Sequence, residues 1–110
     1  MTVYANILEV TGPALSGGTV LATTSLAPSA AWVRLTSLEP SIPTGGAHLQ
    51  VYSTAEAFRY TIVPPVSAMD ANSADYVPRN NGTLVPYYGG AFASQIMYIE
   101  DGSQVWVKQA

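Results

Sequence analysis

The sequence predicts an all-β protein, an antiparallel β-sandwich or jelly-roll-like barrel of about 7–8 short strands, on three observations. Nine Gly and eight Pro recur along the chain and cut it into short runs rich in β-branched and aromatic residues. No run of about twelve residues keeps a helical period. Two segments, 47–53 and 57–63, alternate strictly, which puts Leu49 with Val51, and Phe58 with Tyr60 and Ile62, on single faces.

The strands expected from this punctuation lie near 2–10, 19–24, 31–37, 47–53, 57–63, 84–88, 91–100 and 103–108. The Gly17-Gly18, Gly45-Gly46 and Gly89-Gly90 doublets read as turns, because neither a helix nor a Lys-Ser/Thr follows to make a phosphate cradle. Ser53-Thr54-Ala55-Glu56 is short enough for a hairpin between 47–53 and 57–63, and Pro64-Pro65 ends the second strand by removing two ladder donors. Residues 70–81 read as irregular surface. Asn81-Gly82 could turn a hairpin, but it would set Pro78 opposite Val85 and Val77 opposite Pro86, so an edge ribbon or an extended loop is expected. Asp101-Gly102 is the strongest turn signal, since a two-residue primed turn needs positive φ at both central positions. It pairs Glu100 with Ser103, Tyr98 with Val105 and Ile96 with Val107, so Phe92, Ile96, Tyr98, Val105 and Val107 would face the core. Met97, Ile99, Gln104 and Trp106 would then lie on an outer face too apolar for plain solvent, and something should cover it.

Residues 1–110 are one domain's worth of chain, and the size scaling of folded surfaces gives about 5,800 Å² of exposed area. With no Cys, disulfides, thiolate metal sites and Cys nucleophiles are excluded. Charged residues make up 10% of the chain, against about a quarter in ordinary soluble domains. Ten Ser and ten Thr, with Asn and Gln, must therefore supply much of the polar surface. A net charge of −3 with only Arg34, Arg59, Arg79 and Lys108 basic offers no stripe to neutralise phosphates, so nucleic acid is not an expected partner. The uncharged stretch 10–33 is broken by Gly12, Pro13, Gly17, Gly18 and Pro28 and is no membrane span, and Met1–Leu15 lacks the basic start of a secretory signal.

Candidate chemistry is sparse. His48 alternates with Gln50 and Tyr52 onto the face opposite Leu49 and Val51, with no oriented partner nearby in sequence, and reads as a surface residue. Asp70-x-Asn72-x-x-Asp75 resembles an oxygen-rich calcium loop but lacks its Gly and closing Glu, so solvated loop acids are expected. Asn81-Gly82-Thr83 fits a glycosylation sequon without a secretory signal to support it. No nucleophile, base and orienter can be named, and neither a catalytic site nor a cofactor or metal is expected.

The aromatics carry more. Trp32 alternates with Arg34 and Thr36, and Tyr52 and Trp106 likewise sit among polar neighbours. Such rings suit a protein interface or a sugar platform; alternatively, a second sheet buries both faces. Ala31-Trp32-Val33-Arg34-Leu35-Thr36-Ser37, Ile42-Pro43-Thr44-Gly45-Gly46 and His48-Leu49-Gln50-Val51-Tyr52 form a strand, a Pro-Gly turn and a strand. In style this resembles the small all-β head decoration, or cement, proteins of tailed bacteriophages. The likeness covers about a quarter of the chain and transfers no functional residue. It implies a non-enzymatic virion protein, made in the host cytoplasm without a signal peptide and placed on the capsid surface. Such a protein would be a homo-oligomer, trimer favoured, bound to the major capsid protein or other virion proteins, with no membrane partner. The contact residues expected are Trp32, Tyr52, Met97, Ile99 and Trp106. The alternative is a carbohydrate- or receptor-binding module, a fibre or spike tip using Trp32, Tyr52, Tyr76, Tyr87 and Tyr88.

Overall fold

A computed structural model describes residues 1–10, 19–65, 75–88, 91–92 and 94–110, without the side chains of 88, 91, 92, 94 and 95. The turns expected at Gly17-Gly18 and Gly89-Gly90, Asp70 and Asn72 of the loop, and the Phe92 side chain lie outside the described residues. The strands are β1 (Val3–Leu8), β2 (Val20–Leu26), β3 (Val33–Arg34), β4 (Ala47–Ser53), β5 (Phe58–Val63), β6 (Thr83–Val85), β7 (Tyr87–Tyr88), β8 (Ala91–Phe92), β9 (Ser94–Ile99) and β10 (Gln104–Gln109), with a 3₁₀ turn at Glu39–Ser41.

They form two four-stranded sheets, β2-β1-β4-β9 and β3-β10-β5-β6, and a two-stranded β7-β8 ribbon. The pairings within both large sheets are antiparallel. The inner faces meet in one core. Val3, Ala5, Ile7, Leu49, Val51 and Ile99 of the first sheet pack with Phe58, Val85, Val105 and Val107 of the second, and Leu35, Leu38 and Ile42 close one end. The thinnest dimension, 19 Å, suits two sheets about 10 Å apart with their outward side chains. The exposed area is 5971 Å², close to the value expected from chain mass. The chain is thus an all-β sandwich. Strands β2, β3, β4, β5, β6, β9 and β10 follow jelly-roll order, and β1 fills the slot between β2 and β4 that a jelly roll gives its last strand.

Two expected hairpins are corrected. β4 and β5 lie in different sheets, and Ser53 turns the corner between them by accepting the backbone N–H groups of Ala55 and Glu56 on its hydroxyl. β9 and β10 also part, β9 pairing with β4 and β10 with β3 and β5. The turn at Asp101-Gly102 does form, with Ser103 N–H donating to Glu100 O at 3.1 Å. However, Gly102 has φ +91° while no described non-glycine residue has positive φ. A turn with positive φ at its second central residue alone is of the unprimed kind, whose twist does not match two paired strands, so its arms splay into opposite sheets. Met97 and Ile99 therefore point inward, Ile99 being 2% exposed, while Tyr98 points outward at 53%. Val105 and Val107 face the core as expected.

At β3 the second sheet has a short edge, and Glu39 takes up the next N–H of β10, at Val105, that β3 leaves unpaired. Its carboxylate accepts from Arg34 Nε at 3.0 Å and from the backbone N–H of Val105 at 3.3 Å. The hydrogen bond to Glu39 raises the Arg34 pKa against a lowering by burial, so the guanidinium stays charged.

Candidate functional site

Around Trp106 the outer face of the second sheet is covered by its own chain. Trp106, 7% exposed, packs with Val63, Trp32 and Tyr76, and its indole N–H donates to Gln104 at 3.0 Å. Tyr76 meets it edge-on at 6.2 Å between centroids. Trp32 is held between the Lys108 ammonium, 4.8 Å from its ring, and the Asn80–Gly82 backbone, to which it donates at Asn80 O. Residues 75–82 form the extended loop anticipated for them, and β6 after it is an edge strand.

Three of the expected contact residues are thereby corrected. Ile99 belongs to the core and Met97 packs against it from the same face, because β9 joins the first sheet instead of pairing with β10. Trp106 does occupy an outer face, but the cover is the 75–82 loop. Replacing Trp106 with Phe removes the indole donor and part of the edge contact. A loss of about 1–2 kcal/mol in urea unfolding, with solution mass unchanged, is expected. A changed mass at equal stability would restore Trp106 to the interface.

On the first sheet the outer face runs from exposed Thr23, Ser25 and Tyr98 through half-buried Tyr4, Asn6, Gln50 and Tyr52 to buried Leu8 and His48. Its register sets Ser25, Tyr4, Tyr52 and Ser94 in one rung, Thr23, Asn6, Gln50 and Ile96 in the next, and Val20, Leu8, His48 and Tyr98 in the third. None of these residues is Asp, Glu, Lys or Arg. Tyr4 and Tyr52 stack across the strands at 5.2 Å and 18°, and Asn6 Nδ2 donates to Gln50 Oε1 at 3.0 Å. Stacked cross-strand rings stand up from the sheet and show their edges, not a flat platform.

His48 is not the surface residue expected from alternation. It is 5% exposed on this outer face, between Leu8 and Tyr98 in the register. Tyr98 meets its ring edge-on at 6.5 Å and is pinned by a hydroxyl hydrogen bond to Gly45 O at 2.9 Å. His48 Nδ1 is buried with no hydrogen-bond partner. Gly46, at φ +87°, leaves the space that the Tyr98 phenol enters. Sequence reasoning found Tyr52 here but missed Tyr4, Asn6 and Tyr98. The alternation of 3–8, with Val3, Ala5 and Ile7 inward, carried the signal for the first two.

Among the described residues no group of three His, Cys, Asp or Glu comes together, and no helix is long and apolar enough to cross a membrane. The fold and this face define a β-sandwich whose second sheet is covered around Trp106 and whose first sheet carries an outer face without Asp, Glu, Lys or Arg among the described residues. No protein-family model, curated protein or solved structure matches the chain.

Proposed function

We propose that the chain is a non-enzymatic structural subunit of a virus particle, a capsid decoration or cement protein that works as a symmetric homo-oligomer on the capsid surface. The observation that carries this proposal is the uncharged outer face of the first sheet, three rungs deep, in a chain with 10% charged residues. A surface without charges is poorly kept apart from its neighbours in solution and loses little when a neighbour displaces its water. Tyr52 and Tyr4 are the aromatic anchors on that face, and Trp32 lies on the other side of the sandwich. Two of the rings that the carbohydrate alternative would use are already engaged within the chain. Trp32 and Tyr76 already spend contacts on Lys108, Gly82 and Trp106.

Light scattering across a dilution series tests the first half of this proposal, and co-sedimentation with shells of the cognate major capsid protein tests the second. A closed oligomer that pellets with shells and raises their rupture temperature is expected. A monomer at every concentration that ignores shells sinks the proposal.

A further inference from the structure

The two sheets end on four strands, and those ends differ. β3 and β6, the edges of the second sheet, have only two and three residues. β9 and β2, the edges of the first sheet, have six and seven residues and neither holds a charge or a proline; the longer is β2, Val20-Leu21-Ala22-Thr23-Thr24-Ser25-Leu26. Among the described residues, no strand pairs with its outer side. Long edge strands are ordinarily blunted by Lys, Pro or bulges because their free N–H and C=O groups recruit another strand. The register shift opposite Ile7/Leu8 leaves Leu21 out of the pairing, and 22–26 remains in continuous register with β1.

We propose that 22–26 pairs antiparallel with the same segment of a second copy about a two-fold axis through Thr24, joining two first sheets into one of eight strands. This rests on the assembly proposed above and identifies its contact. The register follows from the faces. A two-fold axis perpendicular to the sheet keeps inner residues opposite inner ones, and Ala22, Thr24 and Leu26 lie on the inner side, opposite Ile7, Ala5 and Val3. Centring on Thr24 sets Ala22 against Leu26, a small residue against a large one, on the inner side. It sets Thr23 against Ser25 on the outer side, a hydroxyl pair of the kind favoured across antiparallel strands. No like charges meet, and the contact is isologous as a two-fold requires. The uncharged outer face continues through Thr23 and Ser25 onto the second copy.

The absence of Cys gives a clean test in single-cysteine variants of the full chain. Thr24→Cys should form a disulfide-linked dimer under mild oxidation. Ala22→Cys and Leu26→Cys should not, since each lies about 14 Å from its own symmetry mate at the strand rise, beyond the roughly 7 Å Cα separation that a disulfide spans. Thr23→Lys with Ser25→Lys replaces two exposed side chains and sets Lys against Lys twice across the axis. It should weaken self-association at least tenfold, read by light scattering, with an unchanged far-UV spectrum. An even-numbered oligomer, linked at 24 alone and dissociated by the lysines, supports the pairing. A trimer, or an oligomer that neither cross-links at 24 nor responds to the lysines, overturns the pairing and leaves the assembly proposal standing. A monomer at every concentration overturns both.

Discussion

Phe58→Ala should cost about 3–5 kcal/mol, a large part of the roughly 5–15 kcal/mol that holds a domain of this size folded. Phe58 heads the largest fully buried side chains and is 0% exposed. It opens β5 in the second sheet, between Gln109 of β10 and Val85 of β6, and points inward into the core shared with the first sheet. An alanine there removes a ring from the middle of the sandwich, and strands paired on both sides limit collapse into the space. The cavity contribution should therefore add nearly in full to the lost transfer energy. Urea unfolding monitored by circular dichroism measures the effect. A cost below about 1.5 kcal/mol would mean that the two sheets close over the gap, and that Phe58 does not key them together.

Gly82→Ala should cost about 2–4 kcal/mol although it adds a single methyl group at a surface loop. Gly82 has φ +68°, a conformation that L side chains rarely adopt. A Cβ there would lie 2.5 Å from the Tyr60 carbonyl oxygen and 2.5 Å from the Trp32 ring. The ring could swing away, but the carbonyl belongs to β5 and cannot move without disturbing the sheet. The loop would lift instead, breaking the Gly82 N–H bond to Asn80 Oδ1 and the Trp32 bond to Asn80 O. Trp32 should become exposed and the tryptophan emission should shift to longer wavelength. Faster proteolysis within 75–82 should accompany it. A variant with wild-type stability and emission would show that this loop does not hold the outer cover of the second sheet.

The strands themselves were legible because alternation and Gly/Pro punctuation are local. Leu49 and Val51 inward with Gln50 and Tyr52 outward, Phe58 inward, and Val105 and Val107 inward all follow from a period of two. The loop around Asn81-Gly82 was legible for the same reason, since its prolines disfavour a ladder wherever the loop packs. Partners were not local. Asp101-Gly102 read as a primed turn, yet only Gly102 takes positive φ, and that single difference moved β9 to the other sheet and reversed its faces. Met97, Ile99 and Tyr98 consequently exchanged roles, although no residue near them in sequence could have signalled it. His48 was placed on the correct face, but its burial depends on Tyr98, which lies on a different strand and is pinned to Gly45.

By itself, then, the sequence determined an all-β chain of short strands, the inward face of most of them, and a surface poor in charge. Those properties depend on each residue's own chemistry and its nearest neighbours. Only the tertiary structure decided which strands share a sheet, that Trp106 is covered by the chain's own loop, and that Tyr4 meets Tyr52 and Asn6 meets Gln50 on the outer face of the first sheet. Those outcomes depend on contacts between residues far apart along the chain. A two-residue turn or a single glycine dihedral selects among arrangements that local patterning leaves equally satisfied.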